Sequence, residues 1–152
     1  MGKQVQPGEM NAVTDYSALI DGAGINVCKL LLDDELTILW ANDNFYISSG
    51  FGKDEYQTLF HHIKAYYTGH GDEFAKIKNA FYDVLQKGER RVKVGCRRPL
   101  KDNTCAWINI DGIITGEIVD SKPVALAVYS DISDLTRLKA ERDQLLEEKT
   151  RY

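Results

Sequence analysis

Residues 39–56 read LWANDNFYISSGFGKDEY, and the passage from strand to helix inside them decides the fold. Leu36 to Ala41 is an apolar, β-rich run. Asn42 stands directly after it, with a short side-chain carbonyl suited to accept the orphan amides of a first helical turn. The run DNFYISS that follows ends at Gly50, the residue type that most readily takes the left-handed conformation closing a helix. A strand that passes without a linker into a one- to two-turn helix is therefore expected. Phe51-Gly52 then leads into a second helical piece over 53–66, with Tyr56, Leu59, Phe60 and Ile63 on one side.

Working outward, Ile25 to Leu32 is apolar on both faces and is broken by Asp33-Asp34-Glu35, so that 25–41 reads as an antiparallel hairpin with both strands mostly buried. Ahead of it, residues 1–10 form a polar tail, and Val13, Tyr16, Leu19 and Ile20 recur at helical spacing until Gly22 and Gly24 stop the pattern. Downstream, Thr68 to Gly71 is a loop and Asp72 is placed to cap a helix striped by Phe74, Ile77, Phe81, Val84 and Leu85 and closed by Gly88. Arg90 to Arg98 alternates, with Val92, Val94 and Cys96 on one face and Arg91, Lys93 and Arg97 on a basic outer face. Pro99 to Asn103 is a turn, Cys105 to Thr115 a long strand, Gly116 to Lys122 a second turn and Pro123 to Asp131 the last strand. Beyond Ser133, Leu135, Leu138, Arg142, Leu145 and Lys149 keep a 3-4 spacing without Gly or Pro, the pattern of an exposed amphipathic helix.

The 152-residue length fits one domain, and 43% hydrophobic with 28% charged residues excludes a disordered chain. Nineteen Lys and Arg against 23 Asp and Glu, with no basic run beyond Arg90-Arg91 or Arg97-Arg98, argue against nucleic acid as a partner. Cys28, Cys96 and Cys105 form no paired spacing and fit a reducing, cytoplasmic setting as small core residues. The longest apolar run, Val124 to Tyr129, falls far short of the ~20 residues that span a bilayer, so no membrane contact and no targeting segment is expected.

Residues 39–56 resemble the opening signature of PAS domains, a sensory-box signalling family, at Asn42, Phe45, Gly50, Phe51 and Glu55. The resemblance continues in DNTCAWINIDGII, with Trp107, and in VYSDISDLTRLKAERDQL, which is similar to the exit motif joining a PAS sheet to a signalling helix; Asp131, Ile132 and Ser133 hold it here. It covers roughly residues 25–146 and implies an α+β fold: a PAS-like five-stranded antiparallel sheet with helices on one face, a short N-terminal helix and an amphipathic C-terminal exit helix. The expected divisions are 1–24, tail and helix; 25–132, sensor domain; and 133–152, signalling helix. The implied function is a cytoplasmic module cut from a bacterial multidomain protein. It would sense a small ligand or partner and act on an output domain such as a diguanylate cyclase or a histidine kinase. The alternative is a ligand-free dimerisation domain, and a homodimer is expected.

PAS-like domains bind flavin, haem, small acids or nothing. The flavin-thiol motif is replaced here by LFHHIKAYY, and the histidines His61, His62 and His70 lie outside the long helix, so neither flavin nor haem is expected. Adjacent His61 and His62 diverge by about 100° on a helix and read as solvated surface rather than a metal pair. No catalytic motif is present, so no catalytic residue is expected. A pocket between sheet and helices would draw on Tyr46, Tyr56, Tyr66, Tyr67, Phe81, Asn109 and Tyr129, because phenols and amides are costly to bury without partners. Trp107 reads as packing on the sheet, and Ser133 as the N-cap of the exit helix.

Overall fold

The computed structural model describes residues 22–150, and the predicted helix through Val13, Tyr16, Leu19 and Ile20 lies outside them. Five strands form one antiparallel sheet: β1 (Asn26–Leu31), β2 (Thr37–Ala41), β3 (Arg91–Pro99), β4 (Cys105–Val119) and β5 (Lys122–Asp131), in the order β2-β1-β5-β4-β3. Four helices fall between β2 and β3: α1 (Asp43–Ile47), α2 (Lys53–Leu59), α3 (Ile63–Tyr66) and α4 (Gly71–Gln86). A fifth, α5 (Ser133–Thr150), leaves the end of β5.

β1 lies between two neighbours and is buried along almost its whole length, as its apolar composition requires. β2 corrects the expectation of a second buried strand. It is an edge, paired only with β1, and Leu39 and Trp40 are 39% and 47% exposed. Its free edge is partly covered by the chain at 61–62, through Ile38 N–H to the His61 carbonyl at 3.2 Å and a bridge between Thr37 and His62. That contact also breaks the helix expected over 53–66. Phe60 turns extended (φ −131°, ψ 100°), the chain divides into α2 and α3, and Leu59 is left exposed rather than joining the core.

α4 starts one residue before Asp72, so Asp72 sits in its first turn instead of capping it. Phe74, Ile77 and Phe81 bury the expected stripe. Phe81 enters a space that only glycine leaves open, since a Cβ on Gly112 would lie 2.9 Å from its ring. The loop expected at 116–122 is mostly strand: Gly116, at φ +90°, accompanies a register shift between Ile114 and Ile118. Asp120 and Ser121, both at positive φ, then make a two-residue turn of the type that matches sheet twist. Cys28 and Cys96 are core residues, whereas Cys105, on the outward phase of β4, is exposed, against expectation.

Candidate functional site

The space between the sheet and α1 to α4 is organised by Arg98. Alternation along β3 turns Val92, Cys96 and Arg98 inward and Arg91, Lys93 and Arg97 outward, and Arg98 is only 3% exposed. Its guanidinium donates to Ser48 Oγ at 2.8 Å and to the Phe45 carbonyl at 2.9 Å. It also lies 4.9 Å from the Phe45 ring centroid and 5.5 Å from those of Tyr66 and Tyr129. Among the described residues no carboxylate pairs with it; the buried Glu73 is engaged by Lys76, by the Arg97 side chain and by the Arg97 amide. A guanidinium cannot shed its charge, and burying an ion costs several kcal/mol, so three ring faces and two neutral acceptors carry the compensation.

Asn42 sets α1 against this group. Its Oδ1 accepts the Val27 amide at 2.9 Å and the Phe45 amide at 3.2 Å, while Nδ2 donates to the Ile25 carbonyl at 2.7 Å. One side chain thereby caps the helix and ties it to the start of β1. Gly50 ends the segment at φ +88°, where a Cβ would lie 3.1 Å from that of Lys101.

Six of the seven predicted pocket residues are buried in this interior: Tyr46, Tyr56, Tyr66, Tyr67, Phe81 and Tyr129. Tyr56 stacks on Tyr66 with centroids 5.2 Å apart, and Phe45 meets Tyr129 edge-on at 5.2 Å. Phe81 is buried farther along, against Gly112. Asn109 is the exception. Ile108 and Ile110 take the inward phase of β4, so Asn109 falls on the opposite face and donates to Asp111 Oδ2 at 2.8 Å.

The Tyr66 hydroxyl donates to the Pro99 carbonyl, and the Tyr46 hydroxyl accepts from Gln57 at 3.5 Å. The hydroxyls of Tyr67 and Tyr129 are buried with no oxygen or nitrogen partner and lie against the thiols of Cys96 and Cys28. Burial pushes the phenols of Tyr56, Tyr66, Tyr67 and Tyr129 upward and the thiols of Cys28 and Cys96 to about 12 and about 11; the charge of Arg98 works against every one of these shifts. Two clefts approach the interior. One of about 600 Å³ lies between β2 and α2, lined by Trp40, Tyr46, Lys53 and Phe60. The other, of about 490 Å³, is lined by Glu35, His62, Tyr67 and Phe74.

Arg98 was not among the residues expected here, although the period that buries Val92 and Cys96 also points it inward. His62 differs from the expected solvated residue. Its Nδ1 accepts the Ala65 amide at 3.1 Å to cap α3, and its Nε2 lies 3.2 Å from Glu35. The three cysteines stand on β1, β3 and β4, so none of their thiols is on a helix.

At the exit, the Trp107 amide donates to Ser133 Oγ at 3.0 Å, and the Ile132 amide donates to the Trp107 carbonyl at 2.8 Å. Ser133 is the first residue of α5, and its own amide is accepted by Asp131 Oδ1 at 2.8 Å. Asp131 therefore supplies the cap expected of Ser133, whose hydroxyl is committed to β4. Trp107 lies on the outer face, with the Arg97 guanidinium 5.5 Å from its ring. Leu135, Leu138, Leu145 and Leu146 are exposed along α5. Among the described residues no helix is long and apolar enough to cross a membrane.

No protein-family model and no curated protein matches this sequence. Solved structures do match in fold. A sensory box histidine kinase/response regulator from Burkholderia thailandensis superposes with a TM-score of 0.67 at 17% identity, over 90% of this chain and 98% of that one. The PAS domain of an HTR-like protein from Haloarcula marismortui gives 0.57 at 15%, over 81% and 93%. An RNA-binding light-oxygen-voltage receptor gives 0.66 at 11%; this chain is covered over 99% and spans 41% of that receptor. An antiparallel sheet whose second strand runs into a row of small helices is an α+β arrangement. Within that class the chain has the PAS fold.

Proposed function

We propose that this chain is a sensory and signal-relay module. Its interior around Arg98 takes up a small molecule, and the junction at Asp131, Ile132 and Ser133 passes the resulting displacement of the sheet to α5. From there it reaches an output domain such as a histidine kinase or a diguanylate cyclase, in the cytoplasm. The two-way bonding of Trp107 to residues 132 and 133 carries this reading. Because both ends of that link belong to the last rung of the sheet and the first turn of α5, a shift of β4 moves the origin of the helix. The sensory names of the structural neighbours support the same role.

A second reading is a ligand-free homodimerisation domain, favoured by the exposed leucines of α5 together with Trp107 and Ile113 on the outer sheet face. A visible absorption spectrum of the freshly purified chain, followed by denaturing mass spectrometry and light scattering, separates the two. A stoichiometric small molecule released on denaturation supports the sensor. An empty protein that elutes as a dimer supports the second reading and removes the first.

A further inference from the structure

We propose that the free edge of β3 takes up an extended acidic segment of a partner protein as a sixth strand of the sheet. The site stands apart from the interior around Arg98 and does not depend on what fills it. β3 closes the sheet on one side, paired only with β4. The Trp107 amide and carbonyl face away from β3, toward Ser133 Oγ and the Ile132 amide, so Arg97, directly opposite, turns its own amide and carbonyl outward. The register runs without a shift from Arg97 back to Arg91, which puts the backbone groups of Gly95, Lys93 and Arg91 on the same open side. Among the described residues nothing pairs with the amides of these three. All three residues are exposed, and Gly95 leaves the middle of the strand bare: a Cβ there would find only the Ile108 carbonyl, at 4.0 Å.

The side chains along this edge select an acidic strand. Among the described residues neither Arg91 nor Lys93 forms an ion pair; across the ladder Lys93 faces Asp111, whose carboxylate is held by Asn109. Arg97 shows in miniature what the edge accepts: Glu73 Oε2 takes its amide at 2.7 Å, and Oε1 lies 3.5 Å from its guanidinium. An antiparallel strand with acidic residues at alternate positions repeats that pairing at Gly95, Lys93 and Arg91, since residues directly opposite one another share a face. The residues between them turn toward the groove of about 580 Å³ where Val94 meets Ala80, Tyr82 and Gln86 of α4, and are small or apolar. A second copy of β3 does not serve. Registers centred on Lys93, Val94 or Gly95 set a cation opposite a cation, and a shift toward Arg97 meets Glu73. Edge lysines keep neutral strands away, and the same cations admit an acidic one.

The test is NMR of the full chain, with amide hydrogen exchange, during titration with a blocked nonapeptide in which glutamate alternates with valine or threonine. Saturable binding is expected, with exchange at the Gly95 and Lys93 amides slowed at least about tenfold and the ladder amides of Val92 and Val94 unchanged. The counterpart with lysine in place of glutamate is expected not to bind. N-methylation of the peptide at its glutamates, whose amides face β3 in the antiparallel arrangement, should abolish binding, and N-methylation at the residues between them should not. R91Q and K93Q together are expected to weaken binding about tenfold. Both side chains are exposed, so the double variant keeps the fold. Equal binding by the two methylated peptides overturns the proposal. So does equal binding by a ten-nucleotide oligothymidylate, which would make the face a general polyanion surface. Protection of Gly95 that grows with protein concentration in the absence of peptide would also overturn it, by placing a second copy on the edge.

Discussion

Trp107 and Ser133 form one rung of the sheet in which a side chain does the work of a backbone. The Trp107 amide is accepted by Ser133 Oγ at 3.0 Å, and its carbonyl takes the Ile132 amide at 2.8 Å, directly beyond the last β4–β5 pair at Ile108 and Asp131. S133A deletes half of that rung and S133T keeps it. The expected cost of S133A is about 1 kcal/mol, since the freed amide is near solvent. Hydrogen exchange at the Trp107 amide should accelerate at least about tenfold while amides in mid-β4 hold their rates. Unchanged Trp107 exchange in S133A would show that the junction is not a clamp.

Asn42 has a donor and an acceptor at work at the same time, which separates two substitutions that a capping argument alone would rank far apart. N42A orphans the buried Val27 amide and the Phe45 cap and should lower stability by about 2–3 kcal/mol in urea unfolding. N42D keeps a good N-cap acceptor but aims a carboxylate at the Ile25 carbonyl, now 2.7 Å from Nδ2. Its loss should therefore be similar. A nearly neutral N42D would mean that the tie to β1 contributes little.

Reading order along the chain succeeds where one residue has one neighbourhood and fails where two elements compete. Asn42 and Gly50 bound α1 because cap and stop signals are local. Period two on β3 already placed Arg98 on the inward face, but a formal charge is a strong reason to read a residue as exposed, and only the ring cage of Phe45, Tyr66 and Tyr129 makes its burial tolerable. The break at Phe60 to His62 had no local cue: the edge of β2 claims the His61 carbonyl, a contact made across more than twenty residues. Gly116 suggested a loop, and it serves a bulge within a strand that continues to Val119. Asn109 carried the right chemistry on the wrong phase of β4, which counting from Trp107 does not reveal until the inward residues are known.

Acid should unfold the protein partly through Glu73 and Asp33. Burial works to raise the Glu73 carboxyl, but the Arg97 amide, Lys76 and the Arg97 charge outweigh it and hold the group below its usual 4.5. Asp33 stands below its usual 3.8, where the hydroxyl and amide of Thr37, at 2.6 and 3.0 Å, overcome a similar desolvation effect. A carboxyl depressed in the folded state binds its proton more readily when unfolded. Its contribution is therefore fully present above about pH 5 and is lost as pH falls through the folded value. Stability measured by urea unfolding should decline below pH 4.5, and E73Q and D33N should each flatten the decline while lowering the plateau at pH 7. An acid limb of equal slope in E73Q would remove Glu73 from this account.

The three cysteines should differ sharply in reactivity although each is a free thiol. Alkylation proceeds through the thiolate, and burial raises Cys28 to about 12 and Cys96 to about 11, leaving on the order of 10⁻³ or less of either ionised at pH 8. Steric access works in the same direction, because both side chains are enclosed between sheet and helices, whereas Cys105 opens β4 on the exposed phase. Iodoacetamide at pH 8 should add one label to the native chain and three in denaturant, with C105S taking none natively. The slow labelling of the other two then reports opening of the interior itself. A ligand taken up by the interior should slow modification of Cys28 and Cys96 and leave Cys105 untouched, because only the first two are buried there. Rapid native labelling at two or three sites would mean that the aromatic interior opens far more readily than its packing implies.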